Sequence, residues 1–284
     1  DFARLIVGDR VDVPLLLPPG VEPHSFESTP KDITRILHAD VFVYTGPAME
    51  PWVSGILEGL KTSPERIVNA SEGIAFRDAE GVDDEAEAEP GPHEGPDHAH
   101  AHGRDGMDPH VWLDFENDQR IVESIAAALI KADPSGADFY LQNASRLSDE
   151  LADLDRRYRD TLSDCDSRTV IYAGHFAFGY LAHRYELEFV SPYEGFSPNA
   201  ELAPRAVVEL IRRIRISGAS CVFTEELAQP RLARVIAEEA GVPIERLHDG
   251  HNVSKADLER GVGFLDLMER NLRKLAEGLQ CRNH

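Results

Sequence analysis

Histidine is the residue type in this chain that most directly suggests chemistry, and the chain carries twelve of them. Three are expected at strand ends or helix starts, namely His24, His110 and His175. In open α/β sheets, ligands bind beyond the carboxyl ends of the strands, so such histidines can meet at one site. Neutral imidazole suits Zn²⁺, and three imidazoles with one carboxylate fill a tetrahedral shell. The pattern therefore predicts a transition-metal site.

A further ligand is expected just after the last predicted strand, where residues 247–251 read Leu-His-Asp-Gly-His. This segment offers the carboxylate of Asp249 or another imidazole, from His248 or His251. A plainer interpretation also stays open. An isolated histidine often caps a helix or satisfies a buried backbone group instead of binding a metal.

An acidic segment between Asp78 and Asp108 holds eleven carboxylates and one arginine, which is −10 of the formal charge of −22. Residues 77–107 show no apolar periodicity, which predicts a long loop. Four histidines lie in it: His93, His98, His100 and His102. Imidazoles in such a loop bind divalent metals weakly, so we expect auxiliary metal capture here. A solvated linker is the alternative.

The overall composition narrows the function. The chain has 284 residues, with 51 acidic and 29 basic side chains and a pI near 4.9. Hydrophobic residues make up 42% and charged residues 28%, which is typical of a globular protein. A surface this negative repels nucleic acid and anionic membranes. No apolar run approaches the roughly 20 residues that a membrane span needs.

The first half of the chain alternates predicted strands with helices. Strands are expected at residues 11–17, 41–44, 66–68 and 111–113. A helix is expected after Thr29, because Thr29 suits the N-cap, Pro30 the first helical position and Asp32 the acidic partner of a capping box. Strands that alternate with helices favour a parallel sheet.

A long helix and a second α/β half follow. Leucines and a tyrosine recur at helical spacing over residues 138–162, which predicts a helix on the order of 40 Å long. The later strands are expected at 169–172, 187–190, 221–223 and 244–247, and the later helices at 176–185, 204–216, 231–240 and 263–279. The predicted fold is therefore two α/β lobes with parallel sheets, joined by one rigid helix, with the metal site between the lobes. The predicted boundaries are 1–135 for the first lobe, 136–163 for the helix and 164–284 for the second lobe.

Several motifs in fixed order carry a family resemblance over nearly the whole chain. The first is Gly-Val-Glu-Pro-His-Ser-Phe-Glu-Ser-Thr-Pro at 20–30. The others are Ala-Asp-Val-Phe-Val-Tyr-Thr-Gly at 39–46, Glu-Pro-Trp at 50–52, Asp-Pro-His-Val-Trp-Leu-Asp at 108–114, His-Phe-Ala-Phe-Gly-Tyr-Leu at 175–181, Ser-Pro-Asn-Ala-Glu at 197–201 and Phe-Thr-Glu at 223–225. The chain resembles the metal-specific solute-binding proteins of ABC transporters, the zinc/manganese cluster A-I.

This resemblance implies the metal ligands. The first two family ligands fall on His24 and His110, the third on His175 and the acidic fourth on Asp249. Histidine at the third position generally accompanies zinc, whereas manganese binders tend to have glutamate. The usual Leu-Asp-Pro around the fourth ligand is replaced here, so His248 or His251 can compete with Asp249. Glu201 and Glu225 are expected to orient ligand imidazoles, or else to be ordinary surface carboxylates.

The resemblance also implies a function, which is the capture of Zn²⁺ and its delivery to an ABC permease for import. The expected protein is a monomer without enzymatic activity. It holds one tight zinc and further weakly bound zinc at the histidine-rich loop, and it has no nucleic-acid partner. It would be periplasmic or extracytoplasmic, with lipid anchoring left open. Family members begin with a strand ahead of the segment at Gly8, and that strand is missing from the chain as printed.

The three cysteines form no Cys-x-x-Cys pair, which argues against a structural zinc cluster. Some zinc members of the family tie a second-lobe strand to the final helix by a disulfide, and Cys221 and Cys281 fit those places. Two buried thiols are the alternative. Cys165 is left over in either case.

Three alternatives to zinc import remain at this point. Manganese is the competing metal within the family. A zinc hydrolase would use similar ligands, but it needs an open coordination position, and no His-Glu-x-x-His motif is present. An adhesin-like or metal-buffering surface protein would lack a transporter partner.

Overall fold

The computed structural model describes residues 1–59, 66–77, 107–175, 177–192, 204–226 and 231–282. Within these ranges the chain forms two α/β lobes joined by a long helix, as the sequence predicts. The helices are α1 (Phe2–Val7), α2 (Pro30–His38), α3 (Pro51–Gly59), α4 (Phe115–Ala132), α5 (Ala137–Leu162), α6 (Gly179–Arg184), α7 (Pro204–Ser217), α8 (Arg231–Ala240), α9 (Lys255–Glu259) and α10 (Phe264–Gly278). The strands are β1 (Phe42–Tyr44), β2 (Ile67–Asn69), β3 (Thr169–Ile171), β4 (Glu188–Val190), β5 (Val222–Glu225) and β6 (Ile244–Leu247).

The start of α2 follows the predicted capping box. The Thr29 hydroxyl accepts a hydrogen bond from the Asp32 backbone N–H, and an Asp32 carboxylate oxygen accepts one from the Thr29 backbone N–H at 3.0 Å. Pro30 occupies the first turn, where a missing N–H costs nothing. Strands β1 and β2 then pair in parallel, with Phe42 opposite Ile67.

Two predicted strands of the first lobe are wrong. Residues 11–17 form no strand, because arginine side chains take up backbone carbonyls there: Arg4 donates to the Val13 carbonyl and Arg35 to the Leu15 carbonyl. Val111–Leu113 is a 3-10 turn, and all three of its side chains are buried. A turn sends three consecutive side chains in three directions, so it can bury an apolar triplet that a strand would split between two faces.

Helix α5 matches the predicted long connector and contacts both lobes. Near its start, Asn143 donates to the Ile6 carbonyl in α1 at 2.9 Å. Near its end, the Tyr158 hydroxyl donates to the Met268 carbonyl in α10 at 2.6 Å. The main hydrophobic core lies along this helix and includes side chains from both lobes. Both lobes therefore pack against one continuous helix. The predicted lobe boundaries at residues 135 and 164 stay a prediction.

The second lobe is built on parallel strand pairs, β3 with β4 and β5 with β6. A bridge between Tyr172 and Phe223 joins the pairs, which gives the spatial order β4-β3-β5-β6. Helices α7 and α8 cover one face of these strands through a second core cluster that includes Leu210 and Ile236. Because the strands are parallel, their carboxyl ends all meet at one edge.

The predicted pairing of Cys221 with Cys281 is wrong. Cys165 and Cys281 form the disulfide, and Cys221 is a buried thiol. The backbones around Cys165 and Cys281 run antiparallel and exchange flanking hydrogen bonds, including Asp166 N–H to the Gln280 carbonyl. Cys221 instead packs against the α10 backbone at Gly278, where any larger side chain would clash with its sulfur.

Candidate metal centre

The predicted ligands come from turns that border the gap between the lobes. His24 lies in the loop ahead of α2, and His110 caps the 3-10 turn at Val111–Leu113. His175 follows β3, and Asp249 and His251 follow β6. The candidate ligands of the second lobe thus lie beyond the carboxyl ends of parallel strands, as expected.

Four imidazoles gather here. The ring centroids of His110 lie 5.7 Å from His24, 5.6 Å from His175 and 6.3 Å from His251. Ligand atoms of His110, His175 and His251 all lie within 4.8 Å of one another. A second group with the same spacing joins His175 to Glu225 and Asp249. These distances are short enough for one cation to contact several of the side chains at once.

Two of the imidazoles present nitrogens that are buried without a hydrogen bond. Within the part of the chain that the structure describes, the Nε2 atoms of His24 and His175 lack a partner. A buried polar atom without a partner costs free energy, and a bound cation would remove that cost. The chemistry of these atoms therefore fits a metal ligand.

Asp108 orients His110. Its Oδ1 lies 2.7 Å from His110 Nδ1 and accepts the His110 backbone N–H at 3.0 Å, and both residues are fully buried. This contact fixes the ring so that Nε2 is the nitrogen left for a metal. This role of Asp108 was not predicted from the sequence, although the Asp-Pro-His spacing of the motif could have suggested it.

Glu225 orients His175 in the same way, which confirms the contact expected of this glutamate. Its Oε1 lies 2.8 Å from His175 Nδ1 and also accepts the His175 backbone N–H at 2.8 Å. Gly174 permits this approach, because a Cβ there would lie 2.6 Å from the same oxygen. Glu201, the other predicted orienting residue, lies outside the described residues.

His251 is held between two carboxylates. Its Nε2 lies 3.3 Å from Glu22 Oε2 and its Nδ1 lies 3.3 Å from Asp249 Oδ1. Glu22 belongs to the first lobe, so this pair spans the gap between the lobes. The carboxylates also make the centre attractive to cations.

Burial and charge set the protonation states. Burial lowers the pKa of His24 to about 4 and that of His110 well below its usual value, so both are neutral at pH 7. Burial also lowers the pKa of His251, but Asp249 and Glu22 outweigh it and raise this pKa to about 9. Burial raises the pKa of Asp108 to about 8.

A cavity of about 180 Å³ opens beside the centre, lined by Gly20, Glu22, Glu225, Glu226, His248, Asp249, His251 and Asn252. This volume admits a hydrated ion but few organic ligands. A larger cavity of about 350 Å³ lies between β6 and α10, and neither His110 nor His175 lines it. These two histidines do not line the smaller cavity either, but Glu225, Asp249 and His251 do, and those three belong to the groups whose spacing suits a metal. The smaller cavity therefore borders the candidate centre.

The structure brings His24, His110, His175 and Asp249 into this one region, together with His251. His248 lines the cavity, while its Nδ1 accepts the Gly250 N–H at 3.0 Å. The predicted weak capture residues His93, His98, His100 and His102 lie outside the described residues. Among the described helices, none is both long and apolar enough to cross a membrane.

Comparison with known proteins agrees with this geometry. Residues 1–278 match the ZnuA family, described as zinc-uptake complex component A, periplasmic. The chain is 37% identical over 283 residues to the high-affinity zinc uptake system protein ZnuA of Bacillus subtilis, covering all of this chain and 85% of that protein.

Two further matches come from streptococci. The zinc-binding protein AdcA of Streptococcus pyogenes is 32% identical over 275 residues, which span 97% of this chain but only 53% of AdcA. The crystal structure of the Zn(II)-bound ZnuA-like domain of Streptococcus pneumoniae AdcA superposes with a TM-score of 0.77 at 28% identity, covering 98% of this chain and 94% of that one. With the family match extending over residues 1–278, this chain belongs to the ZnuA family.

Proposed function

We propose that this protein captures Zn²⁺ outside the cytoplasm and delivers it to the permease of an ABC importer. One observation supports this proposal most strongly. Buried imidazoles from both lobes meet at one place, and each of them contacts a carboxylate. The chain in which they meet is a member of a zinc-uptake family. Imidazole donors suit zinc better than manganese, which prefers carboxylate and water oxygens. The disulfide Cys165–Cys281 supports an oxidising compartment.

The proposed zinc ligands are His24, His110 and His175, with a fourth ligand from residues 249–251. Asp249 is the ligand that the family resemblance implies. The distances favour His251, because its ligand atom groups with those of both His110 and His175, whereas Asp249 groups with His175 and Glu225. We therefore propose His251 as the fourth ligand and Asp249 as its carboxylate neighbour.

A shell of four protein ligands has no position for a substrate or a reactive water, so the proposed role is binding and not catalysis. The mechanism follows from the residues that surround the ligands. Asp108 and Glu225 hold the rings of His110 and His175 with Nε2 directed to the metal. Deeply buried His110 and His175 exclude water from the ion. Release therefore requires the ligand-bearing loops of the two lobes to move apart.

Competition between metals tests this proposal. Chelator-stripped protein should bind one Zn²⁺ tightly and keep it in the presence of a hundredfold excess of Mn²⁺, because four nitrogen donors discriminate against manganese. Isothermal calorimetry with a competing chelator measures both affinities. Tighter binding of Mn²⁺ than of Zn²⁺ would contradict a role in zinc import.

Two substitutions identify the fourth ligand. His251→Gln should lower the zinc affinity by more than about a hundredfold, whereas Asp249→Asn should lower it by about tenfold.

Because the pKa of His251 is about 9, this ring is protonated at pH 7 and must lose its proton before it can bind zinc. Zinc affinity should therefore rise as the pH increases from 7 to about 9. As the pH decreases toward 4, zinc affinity should fall, because His24 also gains a proton there.

The same calorimetry, run in buffers of different ionisation enthalpy, counts the released protons. At pH 7 the wild type should release about one proton more per zinc than His251→Gln does. Equal proton release, or a larger loss of affinity in Asp249→Asn, would favour Asp249 as the fourth ligand.

The histidine-rich segment 93–102 adds a proposed second role. We propose that His93, His98, His100 and His102 bind further zinc weakly and supply it to the tight site. Deleting residues 93–102 should remove the weak zinc equivalents in equilibrium dialysis and slow uptake at limiting zinc, while one tight equivalent remains. Unchanged stoichiometry and unchanged uptake would exclude this role.

A further inference from the structure

Two side chains connect the ligand-bearing loops of the two lobes. Asn252 accepts the Gly20 N–H at 2.9 Å through Oδ1 and donates to the Val21 carbonyl through Nδ2. Trp112 donates its indole N–H to the Asp249 carbonyl at 2.7 Å. These three hydrogen bonds, here called the interlobe clasp, all cross from the first lobe to residues 249–252.

The clasp is placed directly beside the proposed ligands. Val21 lies three residues before His24, and Trp112 lies two residues after His110. On the other side, Asn252 is the neighbour of His251. A movement that separates the ligand loops must therefore break these hydrogen bonds.

The local backbone fits this arrangement. Gly250 has a φ of +78°, a conformation that residues with a Cβ rarely adopt. A Cβ at this position would also lie 3.1 Å from Trp112 Nε1. The turn thus brings the Asp249 carbonyl onto the indole, and Trp112 is 7% exposed, so this hydrogen bond is shielded from water.

We propose that Asn252 and Trp112 are positioning residues that set how slowly zinc leaves the site. The inference rests on the proposed zinc-binding function, and it adds residues that do not touch the ion. Breaking the clasp favours separation of the ligand-bearing loops, so the closed, binding-competent population falls and zinc escapes faster. The identity of the ligands does not change.

Two variants test the clasp, one at a half-buried residue and one in the main core. Asn252→Ala removes both interlobe hydrogen bonds of this side chain from a half-buried position, and Trp112→Phe removes the indole N–H while keeping an aromatic ring. Ser254→Ala is the matched control, because Ser254 belongs to the same segment but its hydroxyl bonds to Asp257 at the start of α9.

The measurement is the rate of Zn²⁺ loss to excess chelator in stopped flow, together with the absorption spectrum of Co²⁺-loaded protein. We expect each clasp variant to raise the dissociation rate about five- to tenfold, the range for one or two buried hydrogen bonds. The Co²⁺ spectrum should match that of the wild type, because the ligands are retained. Ser254→Ala should leave the rate unchanged.

An increase below threefold in both clasp variants would overturn the proposal, as would an equal increase in Ser254→Ala. A changed Co²⁺ spectrum would also overturn it, because the variants would then alter coordination itself. Failure of the zinc-binding function is distinguishable, since the wild type would then take up neither Zn²⁺ nor Co²⁺ tightly.

Discussion

Replacing His175 by alanine is expected to lower the zinc affinity by more than a hundredfold. The free energy of zinc binding to four-ligand sites in small domains is about 10–16 kcal/mol in favour of binding, so one ligand contributes roughly 3 kcal/mol on average. The loss of zinc affinity on removal of His175 should exceed this average, because the Glu225 carboxylate is then left without the ring that it contacts at 2.8 Å. A ligand-competition titration of chelator-stripped protein measures the change.

His183→Ala is the control for this experiment. His183 is exposed on α6 in the same lobe and belongs to neither of the groups whose spacing suits a metal, so its loss should leave the affinity within twofold. An affinity for His175→Ala within tenfold of the wild type would show that the tight site lies elsewhere. Conversely, an equal loss in both variants would indicate a general loss of structure.

Cys165→Ser is expected to lower the free energy of unfolding by about 4–5 kcal/mol. The disulfide joins residues 116 apart in the sequence, and closing a loop of that length removes this much conformational entropy from the unfolded chain in the loop-entropy model. Urea unfolding of zinc-free protein measures the effect, since bound zinc would add its own stabilisation.

Reduction gives the matching test. A reductant should destabilise the wild type to the level of Cys165→Ser and leave that variant unchanged. Cys221→Ala is the control, because its buried thiol forms no disulfide and its response to reductant should equal that of the wild type. If Cys221→Ala instead abolished the response to reductant, this result would support the Cys221–Cys281 pairing that the family resemblance implies.

The disulfide also illustrates what a sequence can decide. Three cysteines allow three pairings, and spacing alone does not choose among them. The choice depends on which backbones meet after folding, and here the segment after α5 meets the segment after α10. The same limit applies to residues 11–17, whose apolar residues predicted a strand. Arginine side chains from α1 and α2 instead donate hydrogen bonds to the backbone carbonyls of this segment.

The sequence by itself determined the elements whose cause is local. The capping box at Thr29, the apolar stripe of α5 and six of the eight predicted strands depend on neighbours within a few residues, and these are present. It also determined three candidate ligands, His24, His110 and His175, because each lies in a short sequence motif whose turn is formed by neighbouring residues.

Only the tertiary structure decided how these parts meet. The contact of Glu225 with His175, the contact of Glu22 with His251 and the clasp through Asn252 all depend on distances between loops. Those loops are separated by up to 232 residues in the sequence. Such distances are set by how both lobes pack along α5, and no local pattern of residues records them.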